Sequence, residues 1–129
     1  MRYLGLESVV RWPPPMERDT LYRESLRHDV VVDQFAIGHW GATCLEAMSH
    51  GRPVLVHATP GTEGISHGEP MPVLKAATEE EIAGAMRRAH RDRQWLADIG
   101  RAARAFVAKH HSWDRVTRLL LQAHSEVIA

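Results

Sequence analysis

The sequence predicts an α/β fold: a partial Rossmann-like parallel sheet of three to four strands, flanked by helices and followed by a helical C-terminal segment. Three observations carry this. Short β-branched runs at Val30-Val31-Val32, Val54-Leu55-Val56 and Val73-Leu74 are separated by stretches of helical period. Glycine and proline punctuate each change of period. From position 78 onward the apolar residues recur at helical spacing almost to the end. Strand, helix and strand joined by short connections require right-handed crossovers, hence parallel pairing with both sheet faces covered.

The first apolar doublet, Val9-Val10, reads as a short strand and the fourth member of the sheet. It runs into Arg11-Trp12-Pro13-Pro14-Pro15, where three prolines exclude both a helix and an interior strand. Residues 16–27 read as a helix, with Leu21, Tyr22 and Leu26 as a narrow apolar stripe. Val30 to Val32 form a buried parallel strand. A loop over 34–41 follows, carrying Gly38-His39-Trp40-Gly41.

A helix is expected over 42–50, closed by Gly51 as a left-handed cap and by Pro53. The next strand covers 53–57, and a long loop rich in glycine and proline covers 58–71. Val73-Leu74 form a last short strand. Thr78-Glu79-Glu80-Glu81 is a capping box opening a helix with Ile82, Ala85, Met86 and Ala89 on one face. A second helix places Trp95, Leu96, Ile99, Ala103, Phe106 and Val107 inward. Ser112 caps a third, with Trp113, Val116, Leu120 and Val127 expected to face the core.

Composition narrows the function. A chain of 129 residues buries roughly two thirds of its unfolded surface, enough for one core. Sixteen basic residues balance sixteen acidic ones, which argues against a dedicated nucleic-acid binder. Cys44 is the single cysteine, so no internal disulfide forms and a reducing compartment fits. No apolar run approaches the ~20 residues of a membrane span, and residues 1–5 lack the apolar stretch of a signal peptide. The expected address is the cytoplasm. Nine histidines raise the question of metal binding. None stands four residues from another or beside a second cysteine, and His110 and His111 point about 100° apart on a helix, so no metal site is expected.

In sheets of this kind ligands bind beyond the carboxyl ends of the strands. The loops at 34–41 and 58–71 both leave those ends and should open on one edge. Within the first, a glycine-bearing turn delivers the chain onto a helix N-terminus. Glycine permits close approach of a ligand to the backbone, and the unpaired amides of Ala42 and Thr43 with the helix dipole suit a phosphate. Glu46 follows three and four residues later on the same side. Its carboxylate could accept hydrogen bonds from the two hydroxyls of a ribose whose diphosphate sits at the helix start. Read without further context, the same glutamate is an ordinary solvated charge and the glycines ordinary turn residues. Cys44, Leu45 and Met48 should pack on the sheet.

The stretch Gly38-His39-Trp40-Gly41, followed by Leu45-Glu46-Ala47-Met48-Ser49-His50-Gly51-Arg52-Pro53-Val54, resembles the donor site of retaining GT-B glycosyltransferases of the group 1 family. Their usual form is Glu-Gly-Phe-Gly, then Leu-Glu-Ala-Met, two residues and Gly-x-Pro-Val. Residues 29–32 resemble the preceding strand, while 78–86 and Ser112-Trp113-Asp114-Arg115 resemble the closing helices. The resemblance implies that this single partial domain, 1–129, is the second half of a C-terminal GT-B lobe. It implies a hexosyltransferase-type reaction with a nucleotide-sugar as substrate and no separate cofactor.

By the same resemblance Glu46 binds the nucleotide ribose, and Gly41, Ala42 and Thr43 offer amides to the diphosphate. His39 and Trp40 lie near the sugar. Gly38 stands where the family has its first glutamate, which contacts a donor-sugar hydroxyl. Gly61-Thr62-Glu63 resembles a second loop near the donor. Residues 3–6 read as the tail of a helix entered midway. The acceptor-binding N-terminal lobe and the basic pair that neutralises the diphosphate have no counterpart in the chain. No catalytic residue is therefore assigned, and a missing lobe or partner polypeptide is expected to complete the enzyme. Two other readings stand beside it: a non-catalytic nucleotide-sugar-binding or interaction module, and an inactive gene fragment. Arg87, Arg88, Arg91, Arg93, Arg101 and Arg104 would permit peripheral contact with anionic lipid. Interspersed with Glu79, Glu80, Asp92 and Asp98, they read more simply as a mixed solvated surface.

Overall fold

The structure is a computed structural model and describes residues 8–59 and 68–128. Its elements run α1 (Arg18–Ser25), β1 (Val31–Val32), α2 (Ala42–Ser49), β2 (Val54–Val56), β3 (Leu74–Lys75), α3 (Glu79–Arg91), α4 (Arg93–His110) and α5 (Trp113–Ile128). The three strands lie in the order β1-β2-β3 and are all parallel. Val31 pairs with Val54, and Leu55 with Leu74.

The central strand explains why the sheet is covered on both sides. Val54, Leu55 and Val56 are all buried, and alternate side chains point to opposite faces. Val54 and Val56 join Cys44, Ala47, Met48, Ala103 and Phe106 in one core cluster. Leu55 joins Leu74, Ala76, Ala89 and Leu96 in another. The long helix α4 runs across both, giving Leu96 to the second and Phe106 to the first. A continuous apolar run, rather than an alternating one, is what such a doubly buried strand requires.

Helix ends follow local chemistry. Gly51 adopts φ +71°, and its amide and that of Arg52 return to the carbonyls of Met48 and Ala47 at 2.8 and 3.0 Å. At α3 the expected capping box is present: the Glu81 amide donates to Thr78 Oγ1 at 3.2 Å, and the Thr78 amide donates to the Glu81 carboxylate at 3.1 Å. Asp92 caps α4 by accepting from the Trp95 amide at 2.9 Å. Ser112 accepts from the Arg115 amide at 3.4 Å.

Three expectations are corrected. The strand expected to be buried over Val30 to Val32 is the edge strand β1, Val31–Val32, and Val32 is 44% exposed. Val9-Val10 form no strand; Val9 is 70% exposed, and the sheet has three strands among the described residues. Among the described residues the doublet, beside three prolines, pairs with no strand. The expected inward stripe of α5 is largely outward, with Val116 alone of its four residues half-buried. Trp113 is 86% exposed, Leu120 65% and Val127 86%; the main contact of α5 among the described residues is with α4. No described helix is long and apolar enough to cross a membrane. The expected helical tail at 3–6 and the Gly61-Thr62-Glu63 loop lie outside the described residues.

Candidate functional site

Both described portions of the sheet's carboxyl-end loops meet on one edge. The backbone leaving β2 is stitched to the loop leaving β1: the His57 amide donates to the Gln34 carbonyl at 3.0 Å, and the Thr59 amide to the Gly38 carbonyl at 2.9 Å. The Thr59 hydroxyl adds a second bond to the same carbonyl at 3.2 Å, and His57 Nδ1 lies 2.8 Å from the Phe35 carbonyl oxygen. The loop is thus a fixed platform leading into α2.

Gly38 is buried at the centre of that platform with φ +68°. A Cβ built there would fall 2.9 Å from Thr59 Cγ2. Side chains rarely adopt this backbone conformation, and Thr59 is a stiff β-branched neighbour. Glycine is therefore a requirement of the loop as folded, and the family's glutamate has no unstrained place here.

His39 and Trp40 lie together. Their ring centroids are 4.9 Å apart, and His39 Nδ1 is 2.7 Å from the Trp40 carbonyl oxygen. His39 is exposed; Trp40 is half-buried and packs against the core, edge-on to His111 at 5.9 Å. The indole Nε1 of Trp40 and the amide Nε2 of Gln34 are enclosed without a hydrogen-bond partner.

Gly41 is the N-cap of α2, and no side chain caps the helix from that position. Its own amide donates to Asp33 Oδ2 at 2.8 Å. Sequence reasoning missed Asp33. The available signal was a carboxylate at the end of β1, where it can lie against the positive end of the following helix. Gly41, which the resemblance assigned to a diphosphate, thus already serves a carboxylate. Ala42 and Thr43 are exposed, and first-turn amides have no intrahelical acceptor. They remain as the donors at this end.

One turn on, Glu46 shares their exposed side, while Cys44 and Met48 are fully buried on the opposite one. The Glu46 side chain is 42% exposed and lies 2.5 Å from Arg18 Nη2. A groove of about 360 Å³ runs beside it, lined by Arg18, Asp19, Tyr22, Glu46, Ser49 and His50. Within this lining the Tyr22 hydroxyl lies 2.6 Å from His50 Nε2. Burial, with a smaller effect of Asp33, pushes the Cys44 thiol up to about 12, so this cysteine is a core residue and no nucleophile.

Near the same edge, Glu69 binds His110 Nε2 at 2.5 Å and Lys109 Nζ at 2.9 Å, tying residue 69 to the end of α4. The His110 hydrogen bond, helped by Lys109, holds the Glu69 carboxyl below the usual carboxylate range. Among the described residues no cluster of three His, Cys, Asp or Glu side chains is placed to hold a metal ion.

A family model described as glycosyl transferase-like matches residues 20–122. The chain is 28% identical to a D-inositol 3-phosphate glycosyltransferase of Salinispora tropica, across 98% of this chain and 26% of that protein. It is 28% identical to a protein of the same name from Actinosynnema mirum, across 97% of this chain and 30% of the relative. A third, from Saccharomonospora viridis, is 27% identical across 98% and 29%. The chain therefore spans between a quarter and a third of the length of these relatives. No solved structure matches it significantly.

Proposed function

The chain belongs to the glycosyl transferase-like family, and from that premise we propose that it supplies the donor-binding part of a glycosyltransferase using a nucleotide-sugar. One observation carries the reading: the open amides of Ala42 and Thr43 and the carboxylate of Glu46 share one exposed side of α2, at the carboxyl edge of the sheet. The helix dipole and amides hold the diphosphate, and Glu46 accepts from the ribose hydroxyls. His39 and Trp40 border the sugar. The role of these residues is to bind and orient the donor; the acceptor and the remaining diphosphate contacts come from a further lobe or a partner polypeptide. The name of the relatives, D-inositol 3-phosphate glycosyltransferase, makes a phosphorylated inositol the first acceptor to try.

Glu46→Ala tests this. Loss of a hydrogen bond to a charged group is worth about 1.5–3 kcal/mol, so nucleotide-sugar affinity should fall roughly tenfold to a hundredfold. Calorimetric titration of both proteins reads it, and equal affinities would remove Glu46 from the site.

A second reading, a non-catalytic nucleotide-sugar-binding module, is favoured by Gly38, whose backbone excludes the family's sugar-contacting glutamate. Sugar transfer or donor hydrolysis by this chain would eliminate it.

A further inference from the structure

The opposite, amino edge of the sheet holds a second concave surface that the donor reading does not use. Its walls include Asp29, two residues before β1, and Pro53, immediately before β2. Because the strands are parallel, these positions lie at the far end from the loop at 34–41. The groove, about 360 Å³, is lined by Arg52, Arg93, Arg101 and Arg104 against the one carboxylate of Asp29. The chain as a whole is formally neutral, so this concentration of guanidinium groups is local.

Two of the four arginines are engaged. Arg93 Nη2 lies 2.5 Å from Asp29 Oδ1, and Arg101 pairs with Asp98. The other two are less committed: Arg52 lies close enough to Asp29 to help hold its carboxyl down, after the larger effect of Arg93. Arg52 Nε is enclosed without a hydrogen-bond partner, and Arg104 makes no ion pair among the described residues. The groove floor is rigid, since Gly51 and Gly100 bring the end of α2 and the middle of α4 together at backbone contact.

From this we propose that the groove binds a phosphomonoester, with Arg52 and Arg104 as its principal ligands and Arg93 and Arg101 in support. Guanidinium forks match the paired oxygens of a phosphate, and several of them at different angles suit a tetrahedral anion. A concave, charged surface of one sign also concentrates anions from solution. The ligand is either a soluble phosphorylated molecule or the headgroup of an anionic lipid. The groove adjoins the one beside Glu46 through His50, which lines both, but it shares no residue with the first turn of α2 and stands whether or not that turn binds a nucleotide-sugar.

Inorganic phosphate is titrated into isotope-labelled protein while the Arg52 and Arg104 Nε–H resonances and the Gly51 and Gly100 amides are followed. In parallel the protein is sedimented with vesicles containing phosphatidic acid. Arg104→Glu is the variant, chosen because Arg104 is exposed and its replacement leaves the core intact. Saturable shifts in this groove, weakened at least tenfold by Arg104→Glu and by added salt, support the site with a soluble ligand. Vesicle binding lost in Arg104→Glu, without saturation by free phosphate, supports it with a lipid headgroup. Neither kind of binding, binding unchanged by Arg104→Glu, or shifts confined to Ala42 and Thr43 would overturn it.

Discussion

Arg18 and Glu46, on helices α1 and α2 and 28 positions apart in sequence, meet at 2.5 Å and line one groove beside α2. Both are exposed to solvent, with Arg18 82% and Glu46 42% accessible. The carboxylate expected to take the ribose is therefore already occupied by a guanidinium. Exposed pairs of this kind are worth about 0.2–1 kcal/mol.

That value sets the expected effect of removing the competitor. Arg18→Ala should leave unfolding free energy within about 1 kcal/mol of the parent and strengthen nucleotide-sugar binding by no more than about fivefold. Titration calorimetry on the two proteins measures it. Weaker binding would instead make Arg18 a ligand contact.

Restoring the family's glutamate should harm the fold. At φ +68°, with a Cβ 2.9 Å from Thr59 Cγ2, Gly38→Glu is expected to cost on the order of 1–3 kcal/mol in urea unfolding. It should not improve donor binding. An unchanged midpoint would show that the loop relaxes freely.

Two helical glycines should respond with opposite sign. Around Gly84 on α3 nothing lies within 4 Å of an added Cβ, so Gly84→Ala should gain about 0.5–1 kcal/mol from backbone entropy. At Gly100 on α4 the same Cβ would stand 2.3 Å from the Gly51 carbonyl oxygen. That neighbour is backbone and cannot rotate away. Overpacking costs about 1–3 kcal/mol, which outweighs the propensity gain. Thermal melts of the two variants should move in opposite directions from the parent.

Acid should destabilise the protein through its depressed carboxylates, among them Asp29, Glu69 and Glu81. Arg93 holds Asp29 below its ordinary range, His110 and Lys109 hold Glu69 down, and the amides of Ala77 and Thr78 hold Glu81 down. A carboxyl whose folded pKa is depressed contributes stability that is complete above its unfolded value. The contribution disappears as pH falls through the lower folded one. Urea midpoints should hold from neutral pH to about 4.5 and decline below about 4. Glu81→Gln should flatten part of that decline.

What could be read from the sequence was what neighbouring residues decide. The Thr78–Glu81 box, the Gly51 cap and the buried Val54-Leu55-Val56 run depend on contacts within a few positions, and each is in place. The placement of Cys44 and Met48 beneath α2 follows from helical phase. What escaped depends on distant partners. Nothing local announces that Asp33 turns onto Gly41, that Arg18 reaches Glu46, or that Gly51 and Gly100 touch. Val9-Val10 had strand propensity without a neighbour, and α5 had helical period without a surface to cover it. The glycine at 38 was visible as a departure; only its positive φ and the nearness of Thr59 show why a side chain does not fit.

The central claim is that the first turn of α2 and Glu46 receive the donor. Amide chemical shifts followed during titration with UDP-glucose, GDP-mannose and ADP-glucose test it most directly. Saturable shifts are expected with at least one of them, largest at Ala42, Thr43 and Glu46 and negligible at Gly51 and Gly100. No saturation with any of the three, or saturation with the shifts centred elsewhere, would contradict it.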